Sequence, residues 1–346
     1  RKDPDRPFFY TVFTGCNHFA YHAPYPYYQR WTDPNYRGPN KYQVHFDAAA
    51  FMSDPDWDQA YASLASSEKR HIIDLYDGCV SRFDDCVGRI LTALEKRDLM
   101  DNTIVLITSD HGEDLFEPGT TLTHGTNFSG GDQGNLIPFI LHVPWLESRN
   151  VGHIVRNLDI APTLVELAGL QPDERFEGTS LIPYLDGDAP EADLDLAFYG
   201  ETGYPFTRVR IPGEEPLDLP ALENLTYVDG DFDYHIVLRP EAQEPLVRAK
   251  SRCVRTDDWK LVYTPGSDGP IHRLYHLPSD PNCQHDVALQ NPGIYAKMKQ
   301  ALWRWILEGE EMRGSEILSL PASESFEVPD PFRRVQWPET EDPPQA

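Results

Sequence analysis

A carboxylate and an imidazole stand next to each other at Asp110 and His111, directly after the apolar run 103–108. That short β-branched run predicts a strand covered on both faces of a parallel sheet. Open α/β sheets bind their ligands at the carboxyl ends of strands, which is where this pair lies. Both side chains can ligate a divalent cation, and such an ion would stabilise charge on a phosphoryl or sulfuryl oxygen. The spacing alone leaves open that Asp110 caps a turn and that His111 is a surface residue.

Two further histidines, His22 and His124, lie in loops that follow predicted strands. If those strand ends are neighbours, both imidazoles converge on one site, where they would bind an anionic ester oxygen or protonate a leaving group. For each of them a plain surface position is the alternative. Glu113 follows the Asp-His pair, and we interpret it as a carboxylate at a helix start rather than as a group that orients a metal ligand.

The elements that must position these residues alternate between strands and helices. Apolar runs at 8–13 and 137–143 predict two more strands, the second of them buried. Apolar residues at helical spacing over 68–98 predict a long amphipathic helix. A shorter helix begins at Asp159 as its N-cap and stops at Gly169. This alternation predicts an α/β fold.

The C-terminal part of the chain has a different pattern. Runs at 252–256, 259–263 and 273–277 predict short antiparallel strands, and 293–308 has the spacing of a helix. We therefore expect four parts: an α/β core over 1–204, an acidic and Pro-rich insertion over 205–250, a small subdomain over 251–310, and an extended tail over 311–346.

Composition excludes several classes of protein. The 346 residues contain 30 Lys and Arg against 56 Asp and Glu, and a net charge of −26 opposes binding to nucleic acid or to an anionic membrane surface. No apolar run is long enough for a transmembrane helix. The five cysteines have neither zinc-type spacing nor the pattern of a disulfide framework. An acidic, Lys-poor surface is compatible with life in concentrated salt, and a mildly acidic mesophilic protein is the alternative.

The stretch DNTIVLITSDHGED resembles the metal-binding strand and turn of the sulfatase family, which is part of the alkaline-phosphatase superfamily. The similarity continues in HAPYPYY, LDIAPTLVELAGL and FEGTSLIPYLDG, and RTDDWKLVY resembles the small C-terminal sheet of the family. It covers residues 8 to about 308 apart from 205–250. The resemblance implies an α/β fold with a central, mostly parallel sheet flanked by helices, and a small C-terminal antiparallel sheet with one helix.

The resemblance also implies roles for four residues. Asp110 and His111 match the two family metal ligands on this strand, His22 matches a histidine that contacts substrate, and His124 matches the residue that contacts the sulfate or the leaving oxygen. His22 and His124 are therefore the candidate catalytic and substrate-binding residues. The implied cofactor is a divalent metal, calcium in the first place, with manganese or magnesium as alternatives. The implied substrate is a small-molecule or glycan sulfate ester.

The chain departs from the family pattern at the nucleophile. The motif of Cys or Ser followed by x-Pro/Ala-x-Arg is absent, and so is the early strand that carries paired Asp ligands. We expect both, including a formylglycine nucleophile, upstream of residue 1, which makes this chain a fragment that is inactive alone. The alternatives are a phosphonate or phosphate ester hydrolase, a phosphoglycerol transferase of the same superfamily, or a binding protein that has lost the site.

Overall fold

The chain folds into two compact units. Unit 1 contains residues 1–47 and 63–103, and unit 2 contains residues 48–62 and 104–346. The computed structural model describes residues 6–125, 127–185, 193–322 and 326–338.

Among the described residues, three α-helices precede the first strand and three follow the last one. The α-helices are α1 (Ala48–Ser53), α2 (Gln59–Ala62), α3 (Ser66–Glu95), α4 (Ile160–Leu167), α5 (Ile182–Leu185), α6 (Leu222–Leu225), α7 (Pro240–Arg248), α8 (Pro292–Glu308), α9 (Gly314–Ser319) and α10 (Asp330–Arg333). The strands are β1 (Val105–Thr108), β2 (Asp114–Leu115), β3 (Leu122–Thr123), β4 (Phe139–His142), β5 (Phe198–Glu201), β6 (Thr226–Asp229), β7 (His235–Leu238), β8 (Arg252–Arg255), β9 (Trp259–Gly266) and β10 (Gly269–His276).

Helix α3 is the main element of unit 1 and confirms the helix predicted over 68–98. Its buried side chains lie in the first half, against which the preceding chain packs. The ring of Tyr21 lies edge-on to Tyr76 with centroids 5.1 Å apart, and His71 Nε2 lies 3.1 Å from the Asn40 carbonyl oxygen. The buried side chains of this helix are His71, Ile72, Asp74, Leu75 and Cys79.

The strand predicted at 8–13 is wrong, because this segment has no regular structure. Phe9 and Phe13 are 85% and 79% exposed. The aromatic and β-branched residues supply strand propensity, but no strand among the described residues pairs with the segment. A strand without a neighbour has no ladder of hydrogen bonds to hold it.

The prediction of parallel pairing for β1 is also wrong. Strands β1 and β4 form a two-stranded antiparallel sheet with Val105 opposite His142 and Thr108 opposite Phe139. A parallel pair needs a crossover, usually a helix, whereas the chain between β1 and β4 holds only the β2–β3 hairpin among its described residues. Strand β4 is half-buried instead of buried, with Ile140 60% exposed.

The C-terminal antiparallel sheet is confirmed. Its strand order is β10-β9-β8-β5, and β5 adds a fourth strand to the three that the sequence predicted. Helix α8 packs against it and buries Trp303 between Tyr263 and the aromatic rings of the tail. The largest hydrophobic core of unit 2 lies here, with Val254, Leu261, Tyr263, Leu274, Met298, Leu302 and Trp303 at its centre.

The segment 205–250 contains regular structure. Helices α6 and α7 enclose a small core of Leu225, Ala242 and Leu246, and β6 pairs with β7. Helix α4 confirms the predicted short helix, and Gly169 follows it with a φ of +74°, the left-handed conformation that favours glycine at a helix end.

Candidate metal centre

Three side chains of unit 2 could hold a metal ion together: His111, Glu113 and His124. One ligand atom from each lies within 4.8 Å of those of the other two. His111 and Glu113 follow β1, and His124 follows β3. The β2–β3 hairpin brings them together, because its pairing of Asp114 with Thr123 sets the residues just outside the strands side by side.

The carboxylate of Glu113 orients the ring of His124. Its Oε2 lies 2.9 Å from His124 Nδ1, and only 5% of the Glu113 side chain is exposed. A carboxylate accepts hydrogen bonds but does not donate them, so this contact places a ring proton on Nδ1. The ring of His111 stacks on that of His124 with centroids 3.6 Å apart.

The backbone around these ligands is held by a second loop, residues 131–136. The amide nitrogens of Gly112 and Glu113 donate to the carbonyl oxygens of Gly134 and Gln133, at 3.0 and 3.1 Å. A Cβ on Gly112 would lie 1.9 Å from the Gln133 oxygen, so only glycine allows this close approach. His111 Nδ1 lies 2.7 Å from the Gly112 carbonyl oxygen, which fixes its ring.

The charge around the site favours a cation. Burial and the negative charges of Glu117 and Glu113 together raise the pKa of Asp114 to about 7, against the opposing effect of Lys260 and His124. Asp114 therefore lies in a surplus of negative charge, which a divalent ion would neutralise.

The donor set fits a divalent metal. Two imidazoles and one carboxylate suit Mn²⁺ or Zn²⁺, whereas Ca²⁺ is usually held by six to eight oxygen ligands. A histidine ligand whose other ring nitrogen contacts a carboxylate or a backbone carbonyl is the usual arrangement in protein metal sites. Both His111 and His124 have such a contact.

The predicted site residues are only partly brought together. The ring of His124 stacks on that of His111. The side chain of Asp110 is 62% exposed, and its Oδ1 lies 3.7 Å from His111 Nε2. Asp110 stays a predicted ligand outside the three-residue group. His22 is an exposed residue of unit 1, and its role stays a prediction.

The prediction that Glu113 stands at the start of a helix is wrong, because the residue lies just before the short strand β2. The signal that pointed to its role was the compact run Asp-His-Gly-Glu, which places the carboxylate two residues from a candidate ligand in the same turn.

The sulfatase family model matches residues 1–170, the region that contains all three of these side chains. Residues 1–170 belong to the sulfatase family, within the alkaline phosphatase superfamily. A sulfatase of Formosa agariphila is 33% identical over 144 residues, which are 41% of this chain and 28% of that protein. The uncharacterized sulfatase YidJ of Escherichia coli K12 is 29% identical over 340 residues, 96% of this chain and 54% of YidJ.

The phosphonate monoester hydrolase of Agrobacterium radiobacter has a similar structure. Its TM-score is 0.51 at 25% identity, over 71% of this chain and 44% of the hydrolase. The chain thus spans about half or less of the relatives it matches. The α/β fold with a small antiparallel sheet near the C-terminus agrees with the family. Among the described residues, no helix combines the length and apolar character needed to span a membrane.

Proposed function

We propose that this chain is part of a sulfatase-type hydrolase that cleaves a small-molecule or glycan sulfate ester with the help of a divalent metal. The supporting observation is the group formed by His111, Glu113 and His124, inside the residues that match the sulfatase family. In this proposal the three side chains hold Mn²⁺ or Zn²⁺, and Asp110 is an additional ligand.

The bound metal would neutralise charge on the ester oxygens. Glu113 keeps the Nδ1 proton of His124 in place, so the imidazole has a fixed orientation. An imidazole that is already oriented loses less conformational entropy when it binds the ester or the metal. We assign His22 to contact with the substrate. The attack on sulfur is assigned to no residue of these 346, because the family nucleophile motif is not among them.

Metal binding is the first test of this proposal. The chain, stripped with a chelator and then given MnCl₂, is expected to melt at a higher temperature, because a ligand that binds only the native state at about 100 times its Kd adds about 2.7 kcal/mol. The variant Glu113→Gln should lose most of the increase. Glu117→Gln, the same change in the same loop but outside the three-residue group, should keep most of it, because it removes a neighbouring charge and no ligand. An equal response in all three proteins would contradict the proposed site.

A phosphonate or phosphate ester is the second candidate substrate, since the solved relative at 25% identity is a phosphonate monoester hydrolase. Both ester types present a tetrahedral anionic centre, so the same cation and imidazoles suit either. The full gene product should be assayed with 4-nitrophenyl sulfate and with 4-nitrophenyl phenylphosphonate. The larger kcat/KM identifies the chemistry, and metal binding without turnover of either compound would contradict the hydrolase proposal.

A further inference from the structure

A lysine is buried inside unit 2, close to the loop that supports the candidate metal centre. Lys260 lies on β9, and only 1% of its side chain is exposed. Its Nζ donates to Asp132 Oδ1 at 2.9 Å and to the carbonyl oxygen of Gly131. A buried ammonium group is costly unless it is paired and hydrogen-bonded, so these contacts hold the loop firmly to the sheet.

A second cation binds the other oxygen of the same carboxylate. Arg255 on β8 donates from Nε to Asp132 Oδ2 at 2.8 Å. Arg255 and Lys260 are directly opposite each other in the antiparallel pairing of β8 with β9. Two neighbouring strands of the C-terminal sheet therefore hold one residue of the 131–136 loop from two directions.

The charges of this cluster are mutually dependent. Burial alone would raise the pKa of Asp132, but Lys260 and Arg255 outweigh it and the pKa is lowered. Burial alone would lower the pKa of Lys260, and the charge of Asp132 reverses that effect and raises it. The carboxylate and the ammonium group thus stabilise each other's charged form.

Asp132 is followed immediately by the residues that support the metal-binding loop. The carbonyl oxygens of Gln133 and Gly134 accept the amides of Glu113 and Gly112. A continuous series of polar contacts therefore runs from Lys260 through Asp132 to the backbone of Glu113, whose side chain orients His124.

We propose that Lys260, Arg255 and Asp132 are positioning residues through which the C-terminal sheet sets the geometry of the His111, Glu113 and His124 group. This inference rests on the proposed function of that group as a metal centre. None of the three is proposed as a ligand. The competing explanation is that the cluster only stabilises the fold. Apolar residues of similar size can replace a buried ion pair without loss of stability. They would not hold the 131–136 loop in place, so stability and loop position can be measured separately.

The first experiment measures hydrogen exchange at single amides in Lys260→Met. The amides of Gly112 and Glu113 should exchange at least about tenfold faster, because their acceptors belong to the released loop. Arg252→Met is the matched control, since Arg252 is a buried cation of the same sheet whose guanidinium contacts Val247, Lys250 and Glu201. Unchanged exchange at Gly112 and Glu113 in Lys260→Met, or an equal increase in the control, would overturn the proposal.

The second experiment measures the affinity for Mn²⁺. Lys260→Met should weaken binding by roughly ten- to a hundredfold, as for other residues that support metal ligands. In Lys260→Met the partly buried carboxylate of Asp132 has lost one of its two cations and keeps Arg255. The double variant Lys260→Met/Asp132→Asn removes that carboxylate charge, so it should regain part of its stability to urea without regaining affinity. Recovery of both together would identify a merely structural role. If the unaltered chain binds no Mn²⁺, the proposed function fails, and hydrogen exchange still decides whether the cluster positions the loop.

Discussion

Gly112 is the residue on which the geometry of the candidate metal centre depends most directly. Its amide bonds to Gly134, and the Gln133 oxygen occupies the space that a Cβ would need. We expect Gly112→Ala to separate the two loops, to cost about 1–3 kcal/mol, and to weaken Mn²⁺ binding about tenfold. Isothermal titration measures the affinity. Gly152→Ala is the control, because a Cβ there meets nothing within 4 Å, and equal affinity in both variants would contradict the expectation.

His272 is a buried base that should make the chain sensitive to acid. Burial, assisted by Lys299, lowers its pKa to about 3, and its Nε2 accepts a hydrogen bond from the Trp303 indole at 3.0 Å. The unfolded chain takes up this proton near pH 6.5 and the native chain does not. Between those two pKa values the unfolded state binds more protons, so stability is complete above about pH 6.5 and falls as the pH decreases.

The corresponding test compares urea unfolding at about pH 7.5 and about pH 5.5. His272→Gln keeps an acceptor for the indole but does not titrate. We expect the difference in the free energy of unfolding between the two pH values to be about 1 kcal/mol smaller in this variant. His285→Gln changes a histidine whose side chain is 82% exposed and should leave the difference as it was. A pH dependence that His272→Gln does not alter would show that this histidine is not the source.

The start of helix α4 depends on a buried ion pair. The Arg156 guanidinium donates to both oxygens of Asp159, and Asp159 also accepts the Thr179 amide. Both side chains are almost completely buried. Asp159→Asn removes the carboxylate that binds two guanidinium nitrogens and leaves Glu311 as the remaining counter-charge of Arg156. We expect a loss of about 3 kcal/mol in the free energy of unfolding.

Urea denaturation of two asparagine variants checks this prediction. Asp173 forms an ion pair with Arg175 at the surface of the same unit, where the Arg175 side chain is 86% exposed. Asp173→Asn should have no measurable effect, since solvent screens exposed pairs. Similar losses in Asp159→Asn and Asp173→Asn would mean that burial does not determine the value of the Arg156 pair.

Elements with strong periodicity were predictable, and strand pairing was not. Helices α3 and α8 follow from apolar residues at 3.6-residue spacing, and the C-terminal strands follow from short apolar runs between turns. The direction of β1 against β4 and the lack of a strand at 8–13 depend on which segments are neighbours. Hydrogen bonds between strands are contacts between distant residues, so local propensity does not specify them.

The whole molecule carries a net charge of −26, and salt should therefore stabilise it. Mutual repulsion among the 56 Asp and Glu opposes the compact state, and ions at about 1 M reduce the screening length to about 3 Å. We expect the melting temperature to rise steadily from low salt to about 1 M NaCl. Near the calculated isoelectric point of 4.7 the same addition should have a much smaller effect. A melting temperature that does not depend on salt at neutral pH would contradict this expectation. It would also contradict the hypothesis that the protein works in concentrated salt.

The sequence by itself determined the α/β class, the long helix and the C-terminal sheet, because these depend on local periodicity. It determined the family through short motifs such as Asp-His-Gly-Glu. It also predicted Asp110 and His111 as metal ligands, and His22 and His124 as residues that contact the substrate. Only the tertiary structure showed that Glu113 orients His124, and that Lys260 and Arg255 hold the supporting loop through Asp132. The first contact joins residues more than ten positions apart in the sequence, and the other two join residues more than a hundred positions apart. Such contacts are decided by how the chain packs, because no pattern in a single segment encodes its distant partner.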